Sequence, residues 1–275
     1  MDAWPAPAKL NLFLHVIGRR SDGYHLLQTV FQFLDYQDEL SFRVREDGHV
    51  TRVTPLSGIS EDEDLTVRAA QLLKATTGAA KGVDIHLTKR IPAGGGLGGG
   101  SSDAATTLLA LNQLWDVRLQ DKELIKLGLQ LGADVPVFLA GHAAWAEGVG
   151  EVLTPVDPEE AWYVVLVPPV HVSTAQIFGD AGLTGFSPPI TIRDFHAGRV
   201  RNDLESIVRQ RHPEVDRAFQ WLVQFGNARM TGAGGCVFLK VNGRSAGEDV
   251  LARCPERLSG FVARGVNRHP LFTKD

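Results

Sequence analysis

Apolar and polar residues alternate over several short stretches of this chain, and this period of two predicts β-strands. In the first stretch, residues 9–16, the apolar side chains share one face, so Lys9 and Asn11 lie together on the other. A second clear alternation spans residues 83–87. Further runs of strand character occur at residues 29–33, 40–44, 143–153, 162–167, 236–241 and 260–266.

Apolar residues at helical spacing predict the helices. A helix over residues 65–77 is followed by Gly78, a typical C-terminal residue. The cap-type residues Ser101, Ser102 and Asp103 open a helix that runs to residue 112, and Asp121 caps another that runs to residue 131. Shorter helices are predicted near residues 134–138, at 214–225 and at 246–252.

This order of elements predicts an α+β fold with helices on one face of an open sheet. A proline-containing segment without periodicity, residues 155–160, indicates a domain boundary. We therefore expect one domain at residues 1–157 and a second at residues 158–275.

Composition and charge exclude several classes of protein. The 275 residues are 44% hydrophobic and 22% charged, with a formal net charge of −4. Scattered Lys and Arg residues offer no basic field, so nucleic acid is not an expected partner. No basic start followed by an apolar stretch and no apolar run of membrane-spanning length occurs, so we expect a cytoplasmic protein without membrane contact. Two cysteines and nine widely spaced histidines predict no disulfide framework and no protein metal site.

The densest chemical signal lies between the strand at 83–87 and the helix that follows. Six of the seven residues from Gly94 to Gly100 are glycine. Glycine reaches positive φ without strain but loses much entropy on folding, so a dense cluster needs a compensating role. A strand, a glycine loop and a helix N-terminus together favour phosphate binding, because unpaired N–H groups converge on the anion.

Other interpretations of this loop are weaker. It lacks the Gly-Lys-Ser/Thr ending of a P-loop. Gly94, Gly96 and Gly99 match the spacing of a dinucleotide fingerprint, but no second strand with an acidic end follows about 20 residues later. A flexible linker would be polar and irregular, whereas this loop joins two patterned elements.

Four segments in this order resemble the GHMP kinase superfamily and, within it, the 4-diphosphocytidyl-2-C-methylerythritol kinase family. They are residues 7–12, 22–25, 94–105 and 131–138. The resemblance implies a two-domain GHMP kinase fold, with a ribosomal-protein-like N-terminal domain and a ferredoxin-like C-terminal domain. It also implies transfer of the ATP γ-phosphate, with Mg²⁺, to the 2-hydroxyl of a cytidine diphosphate-linked methylerythritol in the non-mevalonate isoprenoid pathway. We expect a monomer or a weak homodimer.

The resemblance assigns catalysis to Lys9 and Asp134. Asp134 would accept the proton of the attacking hydroxyl, and Lys9 would keep that carboxylate ionised and stabilise developing charge. From the pattern alone, a helix cap beside Pro136 is the favoured role of Asp134, and a solvated strand residue is the alternative for Lys9.

For the acceptor substrate, the resemblance implies that Tyr24 and Phe178 enclose cytosine and that His25 bonds its polar edge. The further substrate residues it assigns are Asn11, Phe31 and Thr174. Without the resemblance, Tyr24 and His25 belong equally well to an exposed turn and Phe178 to the core.

For the nucleotide, the resemblance assigns Leu65, Lys89 and the glycine loop. The loop residues are Pro92, Gly94, Gly95, Gly96, Leu97, Gly98, Gly99, Gly100, Ser101 and Ser102. The chain departs from the family at Asp64, where asparagine is usual and a carboxylate cannot donate to a ring nitrogen. It also departs at Ala233, where a second glycine loop usually carries a hydroxyl. The serines that bind metal in other superfamily members align with glycines here, so no metal ligand is assigned.

Two competing interpretations stay open at this point. One is another GHMP kinase, acting on mevalonate, homoserine or a sugar, and the other is a non-catalytic anion-binding or dinucleotide-dependent protein. Tyr24, His25 and Phe178 favour the cytidyl substrate over the first alternative. The combination of Lys9 with Asp134 argues against the second.

Overall fold

The computed structural model describes residues 2–56, 58–180, 182–183 and 185–273. Its strands are β1 (Trp4–Arg19), β2 (His25–Arg45), β3 (Val50–Arg52), β4 (Gly82–Thr88), β5 (Ala144–Glu147), β6 (Val152–Pro155), β7 (Trp162–Val167), β8 (Arg229–Met230), β9 (Val237–Val241) and β10 (Ser259–Val266). The helices are α1 (Leu65–Thr77), α2 (Gly99–Leu114), α3 (Asp121–Leu131), α4 (Val135–Ala140), α5 (Thr174–Phe178), α6 (Ile192–His196), α7 (Glu205–Arg211), α8 (Pro213–Leu222) and α9 (Arg244–Leu251). Short 3₁₀ turns cover Val223–Phe225 and Pro270–Phe272.

One mixed sheet runs through both halves of the chain. Its main order is β3-β4-β2-β10-β7-β9-β8, with β1 and β5 also paired to β2 and with β6 paired to β5. β10 pairs along its length with β7, and its last residues, Gly265 and Val266, pair with β2. A strand from the end of the chain therefore joins the two halves. The domain boundary near residue 157 stays a prediction.

The apolar core follows this arrangement. In the N-terminal half, α1, α2 and α4 bury Leu73, Leu108 and Phe138 in one cluster with β2 and β4. In the C-terminal half, α7 and α8 pack on β7 and β9 around Val208 and Leu222. Within the described residues, no helix has the length and apolar character needed to cross a membrane.

Most predicted elements have the right type but different bounds. The two strands expected at 29–33 and 40–44 are one continuous strand, β2, because its pairing with β1, β4, β5 and β10 holds the whole segment extended. The strand expected at 143–153 is the hairpin of β5 and β6. The pattern missed β3, β8, α5, α6 and α7, which are short and carry little periodicity.

Two predicted helix starts are also corrected. The N-cap of α3 is Gln120, which forms a capping box with Glu123, and Asp121 lies inside the first turn. α2 begins at Gly99, two residues before the predicted start, because Gly98 takes a left-handed conformation with φ of 72° and ends the loop there. The cap-type residues at 101–103 therefore lie inside α2 and cap nothing.

Candidate active site

Lys9 and Asp134 meet as an ion pair at the centre of the molecule. Lys9 projects from β1 and is 2% exposed, and its Nζ lies 3.0 Å from Asp134 Oδ2. The same ammonium donates to Asn11 Oδ1 at 2.6 Å and to the carbonyl oxygen of Gly96 at 3.0 Å. It also lies 5.3 Å from the ring centroid of Phe31. Three acceptors thus hold one buried ammonium in a single orientation.

The position of Asp134 excludes the role of helix cap. The residue precedes α4, whose Pro136 lies in the first turn, but its side chain makes no capping hydrogen bond. Its carboxylate is 36% exposed and faces a cavity. An ionised carboxylate that is held by a lysine and open to a cavity has the geometry of a general base.

The glycine loop is shaped by both its backbone and its packing. Gly94, Gly96 and Gly98 have φ of 70°, 79° and 72°, a region that favours glycine. A Cβ on Gly98 would lie 3.0 Å from Lys9 Cε, and one on Gly99 would lie 2.8 Å from Lys89 Nζ. No side chain caps α2, and its first turn carries no acidic residue. The N–H groups of this turn are therefore available to an anion.

A second glycine loop, residues 231–235, supports the first one. Thr231 Oγ1 accepts from Asn11 N at 2.9 Å and donates to the Gly96 carbonyl oxygen at 3.3 Å. The backbones touch, since a Cβ on Gly96 would lie 2.2 Å from the carbonyl oxygen of Thr231. Asn202 in turn donates to the carbonyl oxygens of Met230 and Gly232, at 3.0 and 2.8 Å. The C-terminal half thus fixes the phosphate loop against β1.

A cavity lies beside this junction. It has a volume of about 670 Å³ and is lined by residues from both halves of the chain. Among the predicted site residues, those in its wall are Lys9, Asn11, Tyr24, His25, Phe31, Gly96, Ser101, Asp134, Thr174 and Phe178. Ala233 also lines it, so the second glycine loop reaches the cavity although its hydroxyl is missing. The structure therefore gathers all the predicted catalytic and acceptor residues around one space.

The aromatic residues of the cavity differ in exposure. Tyr24 is 65% exposed, at the rim. The rings of His25 and Phe178 pack together, with centroids 5.3 Å apart and planes tilted by 30°. Burial, with the nearby charge of Arg19, lowers the pKa of His25, so its imidazole is neutral at pH 7 and has one donor and one acceptor nitrogen. Tyr24 thus lies on an exposed turn at the cavity rim, whereas Phe178 lines the cavity and also packs against the C-terminal core.

The predicted nucleotide residues lie mostly outside this cavity. Of that set, only Gly96 and Ser101 line it. Leu65 begins α1, and its Cδ1 would lie 3.4 Å from a Cβ on Gly100, at the outer side of the loop. Lys89 lies at the N-terminus of α2, where it pairs with Asp38 and Asp103. The glycine loop therefore lies between this cavity and most of the residues that were predicted to bind the nucleotide.

Asp64 has a structural role here. It caps α1 by accepting from the backbone N–H and the hydroxyl of Thr66, each at 2.7 Å. Its other oxygen pairs with Arg52 Nη1 at 2.6 Å, and both side chains are buried. Both oxygens of the Asp64 carboxylate are therefore engaged in bonds within the protein, which accounts for aspartate at this position.

Four residues of this region were missed by the sequence analysis. They are Asp38, Thr231 and Asn202, which hold loop backbone, and Asp103, which was predicted only as a cap. Their partners lie far away in sequence, and no local pattern marks them. The glycines at 232–235 were the only available signal, since they indicate close backbone approach.

Comparisons with known proteins agree with this geometry. The description "GHMP kinases N terminal domain" matches residues 64–142, and "GHMP kinases C terminal" matches residues 192–260. The 4-diphosphocytidyl-2-C-methyl-D-erythritol kinase of Thiobacillus denitrificans is 57% identical over 270 residues, which cover 98% of this chain and 97% of that protein. The protein of the same name from Pseudomonas syringae pv. syringae is 56% identical over 98% of this chain and 96% of its own.

Solved structures support the same grouping. A crystal structure of 4-(cytidine 5'-diphospho)-2C-methyl-D-erythritol kinase matches with a TM-score of 0.81 and 33% identity, over 96% of this chain and 100% of that one. A crystal structure of mevalonate kinase matches with a TM-score of 0.69 over 98% of this chain and 100% of that one, but at 17% identity it shows a shared fold alone. The predicted α+β GHMP kinase fold is confirmed, and the chain belongs to the 4-diphosphocytidyl-2-C-methyl-D-erythritol kinase family.

Proposed function

We propose that the chain is an ATP-dependent kinase that phosphorylates the 2-hydroxyl of 4-diphosphocytidyl-2-C-methyl-D-erythritol, a step in isoprenoid precursor synthesis. Relatives that carry this enzyme's name align over nearly the whole chain. The observation that supports the proposal most directly is the Lys9–Asp134 pair. It lies where the acceptor cavity meets the glycine loop.

Asp134 would act as the general base. The acceptor hydroxyl oxygen attacks the γ-phosphorus while its proton passes to a carboxylate oxygen of Asp134. The bond from the γ-phosphorus to the β–γ bridging oxygen breaks, and ADP leaves with that oxygen. Because phosphoryl transfer depends mainly on in-line positioning and on neutralising oxygen charge, few other side chains are needed.

Lys9 and the glycine loop would supply the positioning and the charge. Lys9 orients Asp134 through their ion pair, and its bond to the Gly96 carbonyl oxygen ties the base to the loop that would hold the phosphates. The N–H groups at the uncapped N-terminus of α2 would donate hydrogen bonds to the phosphate oxygens. The γ-phosphate of ATP and the hydroxyl of the acceptor substrate would therefore meet where the glycine loop contacts the Lys9–Asp134 pair.

The donor is expected as a complex of ATP with Mg²⁺. Among the described residues, no group of three or more His, Cys, Asp or Glu side chains is arranged to hold a metal ion. The cation would thus be held mainly by the nucleotide phosphates, and no step above is assigned to it.

The base of the acceptor would bind at the aromatic end of the cavity. Phe178 and His25 form one wall, and Tyr24 at the rim would close over the cytosine. His25 would bond the polar edge of the base, and Asn11 and Thr174 would lie toward the diphosphate and the sugar-like end. This arrangement selects a cytidyl compound over mevalonate or a free sugar.

An ATP-consumption assay with a panel of acceptors tests the proposal. The panel holds the cytidyl-methylerythritol substrate, mevalonate, homoserine and galactose, and Asp134→Asn is the inactive control. We expect turnover with the first compound only. Turnover with another member of the panel would assign the chain to a different kinase, and ATP binding without any turnover would leave an anion-binding protein.

A further inference from the structure

The mechanism leaves a buried cluster of three charged residues unused. Lys89 Nζ contacts Asp38 Oδ2 and lies 2.7 Å from Asp103 Oδ2. The side chains of Asp38 and Asp103 are 0% and 4% exposed. If all three groups were ionised, the interior would hold a net charge of −1. Burying an uncompensated charge is costly, so a neutral cluster is favoured.

Hydrogen bonds indicate which carboxylate is neutral. Asp38 Oδ1 accepts from the backbone N–H groups of Arg90 and Ile91, and Oδ2 accepts from Lys89, so both oxygens have donors. Asp103 Oδ1 is buried without a partner. A buried carboxyl oxygen without a donor costs more free energy when the group is ionised than when it is neutral, and Asp103 has a donor on Oδ2 alone. The proton therefore belongs on Asp103.

The charged groups that face Asp103 are Lys89, which follows β4, and Asp38 on β2. Burial raises the pKa of Asp103, the charge of Lys89 opposes this, and the charge of Asp38 adds to it, with a result of about 8. Asp103 is thus mostly protonated at pH 7 and loses its proton at alkaline pH.

The cluster adjoins the proposed phosphate site. A Cβ on Gly99 would lie 2.8 Å from Lys89 Nζ, so the ammonium lies against the first residue of α2. Asp103 is four residues further along the helix, about 6 Å along its axis. The Asp103 side chain is buried, and a charge inside the protein is screened by salt much less than a charge in solvent. An ionised Asp103 would therefore repel a bound triphosphate.

We propose that ATP binding is coupled to proton uptake at Asp103, and that this residue sets the alkaline limit of ATP affinity. The inference rests on the nucleotide site proposed above. When the carboxyl is ionised, the enzyme must regain a proton before it binds ATP well. The affinity for ATP then falls as pH rises. Asp103→Asn, whose amide cannot ionise, removes this pH dependence.

Titration calorimetry with ATP and Mg²⁺, without acceptor, tests the coupling. The full-length wild type and Asp103→Asn are titrated at pH 7, 8 and 9, each in two buffers of different ionisation enthalpy. Asp116→Asn, which changes an exposed aspartate just after α2, is the matched control. We expect the Kd of the wild type and of Asp116→Asn to rise about tenfold from pH 7 to pH 9, with proton uptake at pH 8 and 9. Asp103→Asn should bind ATP with a constant Kd and without uptake.

The outcomes separate this inference from the proposed function. If the wild type binds no ATP at pH 7, the nucleotide site itself is wrong. If it binds ATP with a constant Kd or without proton uptake, the coupling alone is wrong. A tenfold rise that persists in Asp103→Asn assigns the proton to another group and also overturns the inference. A constant Kd in the wild type overturns the inference without any variant, so a poorly folded Asp103→Asn would not protect the proposal.

Discussion

A side chain at Gly96 in the glycine loop would meet both backbone strain and a clash with neighbouring backbone. The φ of 79° at Gly96 costs any other L-residue about 1–2 kcal/mol. A Cβ would lie 2.2 Å from the carbonyl oxygen of Thr231, so the two glycine loops must separate. That movement strains the bond from Lys9, about 1.5–3 kcal/mol, and the bond from Thr231, about 0.5–1.5 kcal/mol. The total cost of Gly96→Ala is about 3–6 kcal/mol.

This cost is shared between stability and ATP binding. Any relaxation that relieves the clash also moves the N–H groups that would bind phosphate. We therefore expect Gly96→Ala to lower the free energy of unfolding in urea and to weaken ATP binding at least hundredfold in calorimetry. Gly96→Val adds a β-branched side chain and should be worse.

Gly100→Ala is the matched control for this variant. Gly100 lies in the same run of glycines, but its backbone is helical and a Cβ would meet only Leu65 Cδ1 at 3.4 Å. Alanine should stabilise α2 by about 0.5–1 kcal/mol, a change of opposite sign to the loss of stability expected in Gly96→Ala. Wild-type stability and ATP affinity in Gly96→Ala would refute the reasoning and place the phosphate site elsewhere.

Three further predictions concern the chemistry, the acceptor and the junction. Asp134→Asn should keep ATP binding but lower kcat by roughly 10²–10⁴, and wild-type turnover would remove its role as base. Tyr24→Ala and Phe178→Ala should each weaken acceptor binding by roughly 1–3 kcal/mol while the KM for ATP stays constant. Equal KM values for the acceptor in the wild type and both variants would show that Tyr24 and Phe178 do not enclose the cytosine. Thr231→Val leaves the buried N–H of Asn11 without an acceptor and should cost about 1–3 kcal/mol in urea unfolding, whereas Thr231→Ser should cost much less. If Thr231→Val and Thr231→Ser lose the same free energy of unfolding, the hydroxyl does not have this role.

Local sequence patterns determined much of the secondary structure. The bounds of α1, with Gly78 at φ of 70° as its C-terminal residue, agree with the prediction, and so do those of β7. Such elements carry strong periodicity and their own end signals. Where the pattern was weak, as in α6 and α7, contacts with the rest of the chain decide the conformation, and a local signal is missing.

The glycine loop was the part of the site that the sequence identified by itself. Glycine density between a strand and a helix has few structural explanations, and the loop does precede an uncapped helix N-terminus. The catalytic pair was different, because Lys9 and Asp134 were assigned by family resemblance and the pattern favoured a cap for Asp134. Its missing capping bond and its ion pair with Lys9 are properties of the folded chain.

The tertiary structure alone decided how the two halves build one site. Thr231 lies more than 100 residues from β1 and the first glycine loop, yet its hydrogen bonds hold both. Asn202 in turn holds the loop that carries Thr231. The charge state of Asp103 likewise depends on Asp38 and Lys89, which reach it from other elements. Periodicity reports how a residue relates to its near neighbours in sequence. Hydrogen bonding and desolvation depend on distances in space, which are set only when β10 joins the halves and the glycine loops meet.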